Sequence, residues 1–371
     1  MTSRERLLAV LEGKLPDRVP VSTYELVGYN SQSFENKESS YHRLMETIRK
    51  ETDCICMWNP GSNETLLMSS APVDIQINEL KDEEYIIWDQ TLHTPQGDLH
   101  RITKYTPSVQ TVWQPEHWCK SSEDVDKVLS VPFEPLVFDV SDVARINQEV
   151  GNNGIIMPSL ADPMYLAADL MEFGDFTVWA MTEKEHFART VEIMHERVME
   201  NLRRMLDVHV ADLYRICGPE YACPPFLHPD YFRQFVTPYV KEMTDLIHAR
   251  GAKVRLHCHG RIGRVLDYIV ETGCDALDPC EGPPDGDISL AEIKSRIGDR
   301  VSLFGNIQLK LLEAGTEEEV RQEVRRCMEA AKEGGRFVLM PTAAPINIPL
   351  ESKTESNYLA YIDEALQWGK Y

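Results

Sequence analysis

The 371-residue chain lacks any apolar run near the roughly 18 residues that a membrane span requires. It has no CxxC pair, no low-complexity segment and no repeat of fixed period. No G-x-G-x-x-G follows a strand and opens a helix, so the dinucleotide fingerprint is missing. Positive charge is scarce. Lys and Arg number 38 against 60 Asp and Glu, for a formal charge of -22. Such a surface repels phosphate backbones and anionic bilayers, which argues against nucleic-acid and membrane partners. It does not exclude an anionic substrate, because local arginines can outvote the global field. The N-terminal MTSRERLLAVLEGKLPDRVPV is too charged for a secretory leader and reads as an amphipathic helix. The nine cysteines are odd in number. In a long acidic chain without a leader they are expected to be reduced thiols of a cytoplasmic protein.

What is present is ample apolar residue, 43% of the chain, in a regular order. A first helix is capped by Thr2 or Ser3 and ends before Gly13. Short apolar strands then fall near 19–23, 54–58, 154–157, 212–216, 253–257, 275–278, 301–304 and 336–340. Helices of ten to twenty residues separate most of them, near 161–172, 183–208, 229–250, 261–272, 289–297, 317–333 and 353–368. Alternating strands and helices mean βαβ units and a parallel sheet. Eight such units predict a single (β/α)8 TIM barrel spanning 1–371, with an open doubly wound sheet as the rival. Residues 72–118 differ. Their alternating, β-branched and aromatic pattern, divided by Pro95-Gln96-Gly97-Asp98, predicts antiparallel hairpins inserted into the barrel.

Barrel chemistry sits at the C-terminal ends of the strands. The residues following each predicted strand are therefore the candidates. They include Tyr24 and Glu25, Asn59, Ser159 and Asp162, Glu220 and Tyr221, His257 and His259, Asp278, Cys280 and Glu281, Asn306, and Thr342. Positions i and i+2 at a strand end point the same way. His257 and His259 can thus reach one ion while Cys258 faces the other side. Imidazoles and carboxylates suit zinc, iron, manganese or cobalt. The competing reading is a strand end whose histidines bond loop carbonyls or an anionic ligand. Glu220, in the Gly/Pro-punctuated ICGPEYACPP, is a candidate ligand or general base. Tyr24, Asn59, Tyr221 and Asn306 are candidate substrate contacts. Arg215 and Arg255, charges on apolar strands, are expected to pair with acids inside the barrel.

DRVPV after the first helix, the stretch from Pro219 to His257, LHCHGRI, DALDP, GDISLAEIKSRIGDRVSLFGNI and GGRFVLMPTAAPI together resemble the uroporphyrinogen decarboxylase superfamily. That group also holds methyl-corrinoid methyltransferases and resembles the cobalamin-independent methionine synthases. The resemblance implies a (β/α)8 barrel. It also implies one of two chemistries. The decarboxylases carry an arginine-rich motif after the first strand, and here VSTYELVGYN has no arginine. The methyltransferase branch holds zinc on an HxC-Gly at strand five and a later cysteine. This chain has His257 and His259 there, and Thr342 and Ala343 at the later position. The resemblance therefore implies a corrinoid-linked methyltransferase of O-demethylase type. Its expected cofactors are a divalent metal, zinc first, on His257, His259, Glu220 and Cys280, and a corrinoid carried by a partner protein. A small methoxylated or methylated substrate would react beside Glu220, His257 and His259, with a homodimer as a candidate assembly. Decarboxylation of a porphyrinogen or smaller acid, and a non-catalytic ligand- or partner-binding barrel, are the alternatives.

Overall fold

A computed structural model describes residues 1–109 and 111–371. In chain order its strands are β1 (Cys54–Met57), β2 (Gly61–Ser62), β3 (Asp74–Lys81), β4 (Ile86–Thr94), β5 (Gly97–Thr106), β6 (Thr111–Glu116) and β7 (Phe138–Asp139). They continue with β8 (Gly154–Met157), β9 (Ser159–Ala161), β10 (Leu213–Cys217), β11 (Lys253–His257), β12 (Ala276–Asp278), β13 (Ser302–Ile307) and β14 (Phe337–Pro341). β14, β13, β12, β11, β10 and β9 lie side by side in that order, every pair parallel. Helices connect them, as the alternation of elements requires.

β8 pairs in parallel with β1. β8 and β9 follow each other across Pro158, whose carbonyl accepts the Arg215 N–H. The segment predicted as a strand at 19–23 is shorter than expected. It makes a single parallel bridge, Val21 to Leu339, and the Val21 carbonyl accepts the Asp53 N–H at 2.7 Å. Proline at position 20 denies it a further ladder bond. Asp53, wholly buried, ties the segment down instead. Its carboxylate takes the Val21 N–H at 2.8 Å, Arg6 at 2.6 Å and Arg18 at 2.7 Å. The arginine and second valine of DRVPV are thus anchors.

The helix Ser3–Leu11 begins with a Thr2–Glu5 capping box, the arrangement that satisfies orphan N–H groups at a helix start. Its Leu7, Val10 and Leu11 pack on Ile55, Ile155, Met157, Leu213, Ala276, Phe304, Val338 and Met340. Alternate strand residues, such as Tyr214, Ile216, Val254, Leu256, Leu277 and Leu303, belong instead to the larger core beneath the helices. The two clusters lie on opposite faces of the six-stranded sheet, and the smaller one also takes in Ile55 of β1 and Ile155 and Met157 of β8.

β3, β4, β5 and β6 form the expected antiparallel sheet, with a two-residue turn at Pro95-Gln96 between Thr94 and Gly97. The expectation for its last strand includes Gln110, which lies outside the described residues. Helices Phe173–Thr182 and Leu309–Ala314 are additions to the predicted set. The 229–250 helix is split at Val236 into Pro229–Phe235 and Thr237–His248. Pro238, which has no N–H to donate, opens the second part. Among the described residues no helix is long and apolar enough to cross a membrane.

Candidate active site

The parallel register builds the site in rows. Cys217 pairs with His257, and His257 with Asp278; one layer below, Arg215 pairs with Arg255. In-register neighbours on parallel strands present side chains together, so these groups share one end of the sheet.

Asp278 is fully buried and has two basic neighbours. His257 Nδ1 lies 2.8 Å from its Oδ2. Arg255 Nε lies 2.8 Å from its Oδ1, an ion pair whose angle falls short of a hydrogen bond. Burial alone would raise this carboxyl. Arg255 and His257 outweigh it and hold the group at about 2. The guanidinium of Arg255 also sits 5.7 Å from the Phe304 ring centroid.

His259 repeats the motif on the next turn of chain, with Nδ1 2.9 Å from Glu281 Oε2. The two imidazole centroids are 4.6 Å apart and the rings nearly perpendicular, at 85°. Burial works to lower His259, but the hydrogen bond to Glu281 and its charge, with Glu220 and Asp278 nearby, leave it raised above its ordinary value. Each Nδ1 is spent on a carboxylate, whereas neither Nε2 has a protein partner among the described residues. Cys258 faces away, buried in the outer core, as the alternation requires.

Arg215 makes the second network. Its Nε donates to Ser159 Oγ at 3.1 Å, and its Nη1 to Tyr24 Oη at 3.2 Å and Glu25 Oε1 at 3.0 Å. Ser159 Oγ is also 3.5 Å from Cys217 Sγ. Burial pushes the Cys217 thiol up to about 11, against the nearby Arg215. Tyr24 is held at φ 56°, an unusual conformation for an aromatic residue. Its ring centroid is 6.1 Å from that of His257.

Glu220 lies on the short turn Pro219–Ala222, with Oε2 accepting the Gly218 N–H at 3.2 Å. Its charge is felt by His259 and by the buried Asp162, whose carboxyl burial pushes well above its ordinary value. Asp162 caps the helix Pro163–Ala168 through the Tyr165 N–H, and its Oδ2 has no partner among the described residues.

The remaining predicted residues are placed elsewhere. Tyr221 stands in an aromatic group with Tyr165, Phe173 and Phe176. Asn59 clamps the backbone of Ser159, giving to its carbonyl and accepting from its N–H. Asn306 is buried and turned outward. Its Nδ2 donates to the Cys280 carbonyl at 2.7 Å and its Oδ1 accepts from Arg326 at 3.2 Å and the Cys327 thiol at 3.1 Å. Both ends of its amide are thus engaged within the fold. Cys280 is wholly buried, with its thiol on the Leu277 carbonyl. The sequence calls for an acid partner to Arg215 but does not identify Glu25, Tyr24 and Ser159 as the groups around it. The signal for a partner is a lone cation between Tyr214 and Ile216 on an apolar strand.

A zinc centre takes four donors, thiolates and imidazoles foremost. Here two imidazoles stand together, while Cys280 bonds the Leu277 carbonyl and Glu220 accepts the Gly218 N–H. Among the described residues no group of three or more His, Cys, Asp or Glu is gathered so as to hold a metal ion. The donor set does not fit the expected zinc site.

A family model described as uroporphyrinogen decarboxylase matches residues 109–355. A methylcobamide:CoM methyltransferase, MtaA, of Methanosarcina barkeri is 26% identical over 357 residues, covering 95% of each chain. A uroporphyrinogen decarboxylase of Pseudoalteromonas translucida is 26% identical over 216 residues, 56% of this chain and 59% of that one. A solved methyltransferase from Methanosarcina mazei shares the fold, with a TM-score of 0.61 over 99% of both chains at 17% identity. The chain belongs to the uroporphyrinogen decarboxylase family.

Proposed function

We propose that this chain is a corrinoid-linked methyltransferase built on one (β/α)8 barrel spanning residues 1–371. Coverage is the observation that supports the reading most. Similarity to the methylcobamide:CoM methyltransferase runs through 95% of both chains, against 56% of this chain for the decarboxylase. The barrel reading rests on hydrogen bonding that leads from β14 through Val21 and Asp53 to β1 and β8, and on through Pro158 to β10.

The proposed substrate is a small methoxylated or methylated compound, and the methyl acceptor is a reduced corrinoid on a partner protein. The corrinoid supplies the nucleophile. The C–O bond breaks with its electron pair left on oxygen, and that oxygen takes a proton. His259 is the proposed donor, because Glu281 favours its charged form. Asp278 holds the proton of His257 on Nδ1, which leaves Nε2 to accept the O–H of the product once that oxygen has been protonated. Glu220 is the proposed positioning carboxylate beside them. All nine cysteines are free, which suits a reducing cytoplasm.

The test is to supply methoxylated donors with cob(I)alamin and follow methylcobalamin by its spectrum. His259→Ala and His257→Ala should abolish product. Failure of every donor with the wild-type protein sinks the reading. The family model favours one alternative, decarboxylation. Conversion of uroporphyrinogen III to coproporphyrinogen would establish it. Against it, the arginines described at the mouth are each matched by an acid, Arg215 by Glu25 and Arg255 by Asp278.

A further inference from the structure

The two mouth arginines are paired in different ways. Arg255 and Asp278 are both sequestered, with side chains 2% and 0% exposed, and His257 secures the carboxylate from its other side. That pair is fixed. Arg215 is also buried, at 9% exposure, but its partner Glu25 is 43% exposed. Glu25 follows the short Val21 bridge and reaches the cation from the rim. Water already solvates much of its carboxylate, so releasing it costs little desolvation. Arg215 cannot move in the same way, because Ser159 and Tyr24 hold it in place.

Donors are left over at this point. Arg215 Nη2 has no partner among the described residues, and it is not among the buried polar atoms lacking one, so it remains open to solvent. Tyr24 Oη accepts from Arg215, and its own O–H has no acceptor among the described residues. A guanidinium fork and an adjacent phenol are suited to bind a carboxylate.

We propose that Arg215 and Tyr24 form the binding site for a substrate carboxylate, and that Glu25 occupies it as an internal stand-in until the substrate displaces it. The substrate class is then a small methylated carboxylic acid. Its anionic end sits at Arg215 and its reacting end toward His257, whose ring is 6.1 Å from that of Tyr24. Exchange of one carboxylate for another leaves the buried cation neutralised throughout. It also lets a protein of charge -22 accept an anion at this mouth. The placement of the reacting end rests on the proposed methyl transfer; the carboxylate site does not.

The test uses probes without a transferable methyl group, so it stands apart from that activity. Benzoate and benzyl alcohol, matched in shape and differing in charge, are titrated calorimetrically into the full-length protein. Benzoate should bind at least tenfold more tightly than benzyl alcohol. Glu25→Gln, a change at an exposed position that should fold normally, removes the competitor and should tighten benzoate at least threefold. Arg215→Lys keeps the charge but loses the fork, and should weaken benzoate at least tenfold. Equal binding of the two probes overturns the proposal. So does an unchanged benzoate affinity in Glu25→Gln, or the absence of benzoate binding in both wild type and Glu25→Gln.

Discussion

His257 Nδ1 and Asp278 Oδ2 are 2.8 Å apart at the ends of adjacent parallel strands, and the other oxygen of that carboxylate faces Arg255 at the same distance. One buried acid thus serves both a cation beneath it and an imidazole above it. It fixes the ring and assigns its proton to Nδ1. His259 and Glu281 repeat the pairing nearer the solvent.

Replacing Asp278 with Asn keeps the shape and removes the charge. Arg255, 2% exposed, then has no counter-ion. Breaking a buried pair from one side costs about 3–5 kcal/mol. The urea midpoint should fall accordingly, and methyl transfer should be lost because His257 is no longer held. The acid limb gives a second readout. The carboxyl is held at about 2 in the folded protein against 3.8 ordinarily. Its contribution is therefore complete above pH 3.8 and fades as pH falls toward 2. Asp278→Asn should flatten the stability profile in that window.

Glu281→Gln addresses the outer pair. His259 is raised in the folded protein, so its charged form and the stability tied to it are full below 6.5 and are lost as pH rises through the folded value. The substitution removes the hydrogen bond and charge that offset burial. The His259 titration, followed by its ring NMR signals, should move to lower pH. If His259 is the proton donor, the alkaline limb of the rate should move with it. A limb that stays in place while the NMR titration shifts would assign the proton to another group.

Asp53→Asn tests the joint between the first segment and the sheet. Asp53 receives Arg6, Arg18 and the Val21 N–H in a fully buried position. Asp17 also engages Arg6, so the loss should lie near the lower end of about 3–5 kcal/mol. Amide exchange should quicken first at Ser22 and Leu339, whose N–H groups bond across this joint. Uniform quickening through the chain would mean that the segment is no separate unit.

The parallel strands and the two histidines were legible because each leaves a local pattern. Apolar runs of four to six residues alternate with helices, and an i, i+2 pair at a strand end must share a face. Side-chain direction beyond the strands was not legible. Asn306 follows the predicted strand 301–304 as a mouth residue should, yet it lies within β13, and Arg326 and Cys327 on the helix Glu317–Ala331 draw it outward. Asn59 replaces ladder bonds at Ser159. Both are bonds between residues far apart in sequence, on which composition and spacing are silent. The pairing of Glu25 with Arg215 spans 190 positions and is hidden for the same reason.

The Glu220 turn depends on Gly218, and the last prediction concerns that residue. Gly218 has φ 125°, and a Cβ there would lie 2.2 Å from Asp162 Oδ1 and 2.4 Å from Tyr165 Cβ. No side chain fits without movement. Asp162 Oδ1 is the atom that caps the helix Pro163–Ala168, through the Tyr165 N–H at 2.7 Å. Alanine at 218 would therefore add backbone strain of about 1–3 kcal/mol and put at risk a cap worth about 1 kcal/mol. The same glycine gives its N–H to Glu220 Oε2. Its replacement should release Glu220 as well as destabilise the fold. Gly218→Ala is expected to lower the urea midpoint and to reduce the methyl-transfer rate at temperatures where it remains folded. Glu220→Gln should reduce the rate with little change in the midpoint. Full activity in Glu220→Gln would leave the turn as a structural element and remove Glu220 from the reaction.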